Sequence, residues 1–168
     1  MNVQLADGTE LVIRPIRPSD KALLAAGLTR LSATTIQRRF LAPKRRFTGA
    51  ELRYLTEVDG RDHHAIVAVT PGWDGDVVAV ARWVRLVGDP VAADAAIVVC
   101  DALQGRGLGK LLARMLADAA RARGVRRIHA TMYLDNAPAL ALMRVIAERL
   151  RDGDHGHGVH EVVAELAA

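Results

Sequence analysis

The segment Cys100–Leu112, CDALQGRGLGKLL, limits the possible folds of this chain more than any other part of it. An apolar stretch at 92–100 predicts a strand, which runs into a short glycine-rich loop. An amphipathic helix is predicted at once afterwards, over 107–123, and a further strand over 127–134. A strand, a helix and a second strand in this order predict a β-α-β crossover, and therefore a parallel pair of strands.

The residues before the crossover predict antiparallel strands. A strand is expected at Leu11–Arg17. Two further strands, at 64–70 and 77–87, are predicted to form a hairpin around a turn at 71–75 that includes Asp74. Helix caps are predicted in the same region at Ser19, Ser32 and Thr48.

The residues after the crossover predict one more helix and one more strand. Asn136 is expected to cap a helix that runs to about Leu150, and the last strand is expected at 159–166. The sequence therefore predicts an α/β fold of the α+β type, with a mixed, mostly antiparallel sheet and about four helices. We expect one domain, 1–168, with a core at 10–150 and a variable loop and strand at 151–168.

Composition restricts the class of protein. Of the 168 residues, 51% are hydrophobic and 25% are charged, which excludes a disordered chain. No apolar run is long enough to span a membrane, and residues 1–10 lack the pattern of a secretory signal. A single cysteine, Cys100, rules out an internal disulfide. These features predict a cytoplasmic protein that does not enter a membrane.

The glycine-rich loop predicts an anion site. Gly105, Gly107 and Gly109 let the backbone approach a ligand, and the free N–H groups of the new helix point into the loop. Arg106 and Lys110 add positive charge. A magnesium-binding P-loop is excluded because Leu111 follows Lys110, and the G-x-G-x-x-G dinucleotide pattern is also absent. The loop therefore predicts a phosphate site without a magnesium ligand.

The pattern Gln104-x-x-Gly107-x-Gly109 resembles the Q/R-x-x-G-x-G/A motif of the GNAT superfamily of N-acetyltransferases. More narrowly, the segment 32–68 is similar to the GNAT domain of bacterial protein-lysine acetyltransferases. The resemblance implies acetyl-CoA as cosubstrate and a primary amine as acceptor, most simply a protein lysine. A small amine or polyamine acceptor, or a catalytically weak acyl-CoA-binding or regulatory module, are the alternatives.

The resemblance also implies which residues contact the acetyl-CoA. The backbone of the loop would hold the pyrophosphate, the end of the strand would pair with the pantetheine arm, and the residue that opens the next helix would touch the cosubstrate. The residues implied are Ile97, Val98, Val99, Gln104, Gly105, Arg106, Gly107, Leu108, Gly109, Lys110 and Asn136. Asn136 is equally well explained as a plain helix cap.

Acetyl transfer requires a neutral amine, whereas a lysine is neutral about one time in 2,500 at pH 7. Many members of the family place a glutamate where this chain has Asp94, so the resemblance implies Asp94 as the general base, direct or through a water. Glu57 and Asp59 are reserve candidates. The N–H of Val99 is the expected donor to the thioester oxygen. The tyrosine that often serves as acid is missing from 137–144, and Tyr133 suits the core better.

Several other residues have competing explanations. Cys100 fits an inert core position better than a nucleophile. His155, His157 and His160 are spaced like metal ligands but lack cysteines, so no metal site is predicted. The basic run 38–46 is interpreted as a solvated loop, with binding of nucleic acid or of the 3′-phosphate of coenzyme A as the lesser alternatives. The resemblance implies that this region lines the acceptor cleft, where its charge would favour an anionic or neutral surround for the acceptor. The altered C-terminal segment makes a homodimer with exchanged last strands plausible.

Overall fold

The computed structural model describes residues 1–72 and 75–167, and of Asp154 and His155 the backbone alone. Eight strands form one sheet in the order β1-β2-β3-β4-β5-β6-β8-β7. They are β1 (Asn2–Gln4), β2 (Glu10–Pro15), β3 (His63–Val69), β4 (Val77–Leu86), β5 (Asp89–Val99), β6 (Arg127–Tyr133), β7 (Ala147–Gly156) and β8 (Val159–Leu166). The five helices are α1 (Lys21–Thr29), α2 (Ala33–Phe40), α3 (Gly49–Thr56), α4 (Leu108–Arg121) and α5 (Ala137–Ile146).

The pairing of the strands confirms the predicted mixed sheet. β5 and β6, joined through α4, run parallel, and every other pair of neighbouring strands in the described chain is antiparallel. The predicted hairpin is β3 and β4, although Asp74 of its turn lies outside the described residues. The helix count of about four was too low, because the segments capped by Ser32 and Thr48 both form helices, and the short strand β1 was missed.

The C-terminal segment differs most from the prediction. The last helix was expected to reach Leu150, but α5 ends at Ile146 and β7 begins at Ala147. The sequence Ala147–Leu150 has good helix propensity, and pairing with β8 overrides it. The expected loop at 151–158 is mostly β7, and its turn is at His157 and Gly158, both with positive φ. β8 pairs within its own chain, between β6 and β7.

The core has two parts, one on each face of the sheet. The larger part is formed by one side of α4, which packs Leu108 and Leu112 against Trp83 of β4 and Ile128 of β6. The smaller part lies under α1, where Leu24 packs near Val67 and Val80. Burying one such side chain contributes about 1.5–3 kcal/mol. The sheet is therefore held on both faces, and α4 is fixed firmly after the glycine-rich loop.

A buried carboxylate fixes the junction between β2 and α1. Asp20, 2% exposed, accepts two hydrogen bonds of 2.7 Å from the guanidinium of Arg14 and one of 2.8 Å from the N–H of Arg17. Burial alone raises the pKa of a carboxyl, but these hydrogen bonds outweigh it and lower the pKa of Asp20 below its ordinary 3.8. Asp20 is therefore charged and fully paired at neutral pH.

The helices of the described chain are too short or too polar to cross a bilayer.

Candidate active site

A cleft opens in the sheet where β5 and β6 separate. The two strands pair through the positions Ala92–Asp94 and Arg127–His129. Beyond Asp94, β6 remains paired with β8, while a cavity of about 580 Å³ lies beside β5. Residues 95–99 form one wall of this cavity, and residues of β6, α4, α5 and α2 complete it. We call this cavity the cleft.

The strand edge along the cleft has free backbone groups. The N–H of Cys100 donates to Val78 O at 2.8 Å, so alternate residues of β5, including Val98, direct their backbone groups to β4. The N–H groups of Ile97 and Val99 consequently point to the cleft, where the described chain supplies no strand to pair with them. Of the three residues predicted here, Ile97 and Val99 therefore offer a free edge, while the backbone of Val98 faces Val80.

The glycine-rich loop closes one end of the cleft. Gly105 and Gly107 have φ of 74° and 89°, which glycine adopts without the strain of other residues, and α4 begins directly after Gly107. A Cβ on Gly109 would lie 3.5 Å from Leu142, so larger side chains would project into the cleft. The exposed Lys110 also lines it. The loop thus combines helix N–H groups with an exposed cation, which suits a phosphate.

The other predicted residues of the loop and of α5 have structural partners. The side chain of Leu108 is fully buried in the core, so only its backbone faces the loop. Arg106 forms an ion pair with Asp7 and does not line the cleft. Asn136 lines the cleft and also caps α5, because its Oδ1 accepts from the N–H of Ala139 at 3.2 Å. The role of Asn136 as a helix cap is therefore compatible with a contact to the cosubstrate.

A hydrogen-bond network attaches α2 to the start of the loop. Gln104 donates to Val99 O at 3.0 Å and to the Thr35 hydroxyl at 3.1 Å. Asp101 accepts from Ser32 and Thr35, and although burial opposes its charge, these bonds lower the pKa of Asp101. Gln104 therefore positions the loop and the α2 wall of the cleft relative to the end of β5.

Asp94 lies where the parallel pairing ends. Its side chain keeps contact with solvent, yet the atoms crowded around the carboxyl exclude part of the water, which raises the pKa of Asp94. The positive charges of Arg39 and His129 oppose this rise. Asp94 is thus a carboxylate of raised basicity directly before the cleft wall at 95–99, although its side chain is not among those that line the cavity. Raised basicity suits a general base.

The structure does not bring Asp94 and Val99 together. Val99 lies five positions after Asp94 along an extended strand, which corresponds to about 16 Å between their Cα atoms, whereas Ile97 is about 10 Å from Asp94. A base must lie within hydrogen-bond reach of the reacting amine, directly or through one water. The N–H of Ile97 therefore suits the thioester oxygen better than that of Val99 if Asp94 is the base.

Two titratable residues beside Asp94 were missed by sequence reasoning. His129 pairs with Asp94 across the parallel ladder, and its Nδ1 lies 2.9 Å from Glu161 of β8. Its Nε2 is buried and has no hydrogen-bond partner in the described chain. The strand register that aligns His129 with Asp94 has no counterpart in the linear sequence, so no sequence signal could have found this pair.

The remaining candidates lie outside the cleft or are already bonded. Glu57 pairs with Lys21 at 2.6 Å, and Asp59 accepts from three N–H groups of its own loop. Tyr133 is bonded to Gln37 of α2. Cys100 lines a second, apolar cavity of about 420 Å³ beneath α1. None of these four is positioned as a base or acid in the cleft.

No group of three potential metal ligands is clustered among the described residues. His160 contacts Asp152 at 2.9 Å, and the side chain of His155 lies outside the described residues.

The basic run 38–46 is less solvated than its composition predicts. Arg39 is half-buried and lines the cleft together with Arg38. Lys44 forms an ion pair with Glu51 at the start of α3. Part of this run therefore belongs to the cleft wall, as the resemblance implied for this region, while the preferred interpretation of a solvated loop fits only its exposed residues.

Comparison with known proteins identifies relatives of this arrangement. The sequence pattern of the acetyltransferase (GNAT) family matches residues 33–146. Acetyltransferase Pat of Mycolicibacterium smegmatis is 40% identical over 110 residues, which are 66% of this chain and 32% of Pat. An acetyltransferase of Pseudomonas aeruginosa is 31% identical over 114 residues, 67% of this chain and 60% of that protein. The chain thus matches less than two thirds of the length of either relative.

A solved structure extends the similarity to nearly the whole chain. The GNAT domain of S. lividans PAT superposes with a TM-score of 0.85 at 27% identity, covering 99% of this chain and 96% of that one.

Proposed function

The chain belongs to the acetyltransferase (GNAT) family, and from this premise we propose that it transfers an acetyl group from acetyl-CoA to a primary amine, the side chain of a protein lysine. The amine attacks directly while both substrates are bound. The observation that carries the proposal is the free edge of β5 in the cleft, which leads from the glycine-rich loop to Asp94.

The donor side of the proposal rests on complementary chemistry along the cleft. The backbone N–H groups at 105–109 and the ammonium of Lys110 would hold the pyrophosphate. The free N–H groups of Ile97 and Val99 would pair with the amides of the pantetheine arm or with the thioester oxygen, as an added strand does. Asn136 and Gln104 would complete the walls, the former facing the cleft and the latter fixing the loop.

The acceptor side requires removal of a proton. In our proposal the ammonium of the acceptor gives a proton to the carboxylate of Asp94, directly or through one water. The neutral amine then attacks the thioester carbon, the carbon–sulfur bond breaks, and the thiolate that leaves takes the second proton from the new amide nitrogen. Asp94 finally releases its proton to solvent. The N–H of Ile97 stabilises the charge that develops on the thioester oxygen.

The preference for a protein lysine is supported by similarity to acetyltransferase Pat and to the GNAT domain of S. lividans PAT. It is also compatible with the exposure of Asp94, whose side chain an acceptor can reach from solvent.

Calorimetry and an acetylation assay test the proposal together. Acetyl-CoA should bind saturably, and a lysine peptide should gain about 42 Da for each acetyl group transferred. Asp94→Asn should keep acetyl-CoA binding and lose acetylation, while Asp118→Asn, an exposed change on the far part of α4, should keep both. Acetyl-CoA binding without transfer to any amine would support the regulatory-module alternative, and absence of binding would refute the proposal.

A further inference from the structure

Two arginines near Asp94 have no anionic partner within hydrogen-bond range among the residues that the structure describes. Arg82 of β4 is 5% exposed, and its guanidinium contacts the Nε2 of His63 at 3.0 Å and the backbone oxygen of Leu55 at 3.1 Å. Its Nε has no hydrogen-bond partner in the described chain. Both of its partners are uncharged, because burial and the neighbouring Arg82 lower the pKa of His63 to about 4. The charge of Arg82 is therefore not compensated.

Arg39 brings a second guanidinium to the same place. It extends from α2, lines the cleft, and forms neither an ion pair nor a hydrogen bond with any described residue. Its ring contact is with its own neighbour, Phe40. Burial, and then the charge of Arg39, lower the pKa of Arg82 to about 10. The two cations thus disfavour each other, and burial of unpaired like charges is costly for a folded protein.

Asp94 offsets only one of these two charges. Its carboxylate attracts Arg39 electrostatically, but the two groups do not form an ion pair within 4 Å. When the ammonium of an acceptor approaches Asp94, the local charge becomes more positive still. An acceptor that brings its own carboxylate restores the balance.

We propose that Arg39, with Arg82 behind it, binds a carboxylate of the acceptor, so that the preferred acceptor is an amine with a carboxylate close to it. Such a group is supplied either by an acidic residue beside a protein lysine or by the α-carboxylate of a free amino acid. Arg39 contacts the carboxylate, and Arg82 contributes its charge from beneath. This inference rests on the proposed function, since it concerns the acceptor of the same reaction.

The test compares two matched pairs of acceptors. One pair consists of peptides that differ in having Glu or Gln next to a single lysine, and the other of Nα-acetyl-lysine and its amide. In the pair that resembles the natural acceptor, the member with the carboxylate should have a KM about tenfold lower than the member without it. A hydrogen bond to a charged group strengthens binding by about this factor. Preference in the peptide pair assigns the site to a protein, and preference in the second pair assigns it to a free amino acid.

Variants of Arg39 connect this preference to the site. Arg39→Gln should abolish it by raising the KM for the carboxylate acceptor, and Arg39→Lys should retain part of it because the charge remains. Arg45→Gln, an exposed change in the loop that follows α2 and in the same basic run, should retain it fully. The unfolding temperature of Arg39→Gln should not fall, because the variant removes a repulsive charge; a large fall would indicate a structural role and overturn the inference.

The design separates this inference from the proposed function. Acetylation of both members of each pair with equal KM would leave the proposed function intact and overturn the carboxylate site. If nothing is acetylated, the preference for the carboxylate can still be measured from the Kd of each acceptor, by calorimetry with coenzyme A present. Equal Kd values within both pairs would then overturn it as well.

Discussion

The guanidinium of Arg106, in the glycine-rich loop, forms an ion pair with the carboxylate of Asp7 in the turn between β1 and β2. Hydrogen bonds from Thr9, and then from Arg106, lower the pKa of Asp7, so this carboxylate is charged at neutral pH. Asp7 thus holds the side chain of Arg106 at the border of the proposed phosphate site, where Arg106 does not line the cleft. Without this partner, the guanidinium would be free to turn toward a bound phosphate.

Replacing Asp7 should therefore strengthen binding of acetyl-CoA. In Asp7→Asn we expect a Kd about two- to fivefold lower at low ionic strength, the range of an exposed ion pair, and little change at high salt. Calorimetry at the two salt concentrations measures this, with Asp76→Asn, which removes the exposed partner of Arg30, as the control. Weaker binding in Asp7→Asn would show instead that Asp7 orders the loop.

The positive φ of Gly107 allows a test with a matched backbone control. Gly88, in the turn between β4 and β5, has a similar φ of 83°, and a Cβ at either residue meets no atom within 4 Å. Changing either glycine to alanine should lower the free energy of unfolding by a similar amount, about 1–2 kcal/mol. Gly107→Ala alone should also weaken acetyl-CoA binding, by about tenfold or more, which is about 1.4 kcal/mol. Equal loss of binding in both variants would show that the effect is general instability.

The raised pKa of Asp94 predicts how activity depends on pH and how Asp94→Asn changes activity and stability. Asp94→Asn should lower kcat about 10²- to 10⁴-fold, the usual contribution of a general base, and kcat/KM of the native protein should rise with pH through a pKa above the ordinary 3.8. A carboxyl with a raised pKa in the folded state loses stability as pH increases through that pKa. Urea unfolding at pH 7 should therefore find Asp94→Asn more stable than the native protein.

Asp94→Glu provides the conservative comparison. It introduces the longer side chain that the resemblance to the family implies at this position, and it should keep at least a tenth of the activity if a carboxylate is what the site needs. An inactive Glu variant together with an active Asn variant would remove the carboxylate from the mechanism.

Asp20 predicts the opposite pH dependence of stability. Its pKa in the folded state lies below 3.8, so its contribution is fully present above that value and is lost as pH falls through the folded pKa. Asp20→Asn should lower the free energy of unfolding by about 3 kcal/mol at pH 7, because Arg14 loses its buried partner. Urea unfolding should show this difference shrinking below pH 3.8, and a constant difference would contradict the assignment.

Local sequence signals predicted most elements and the loop of the site. The caps at Ser32 and Thr48, the hairpin and the start of α4 depend on residues that are neighbours in the chain, so their patterns are visible in one dimension. The strand β7 was missed because Ala147–Leu150 is a good helix sequence that pairs with a distant strand. Arg82, His129 and Glu161 were missed as site residues for the same reason, and Arg39 was singled out only as part of the basic run. Their importance lies in the register of strands and in the docking of α2, which act between distant parts of the chain.

The short parallel ladder between β5 and β6 has a mechanical consequence. It divides the sheet into a five-stranded and a three-stranded part, which the backbone joins through Ala92–Asp94 and Arg127–His129 and which share the packing of α4. A molecule that hydrogen-bonds along Ile97 and Val99 fills the seam between the two parts and acts as a removable ninth strand. The bound substrate is then part of the sheet. The sheet should be most rigid while the substrate is bound and most flexible once the product has left.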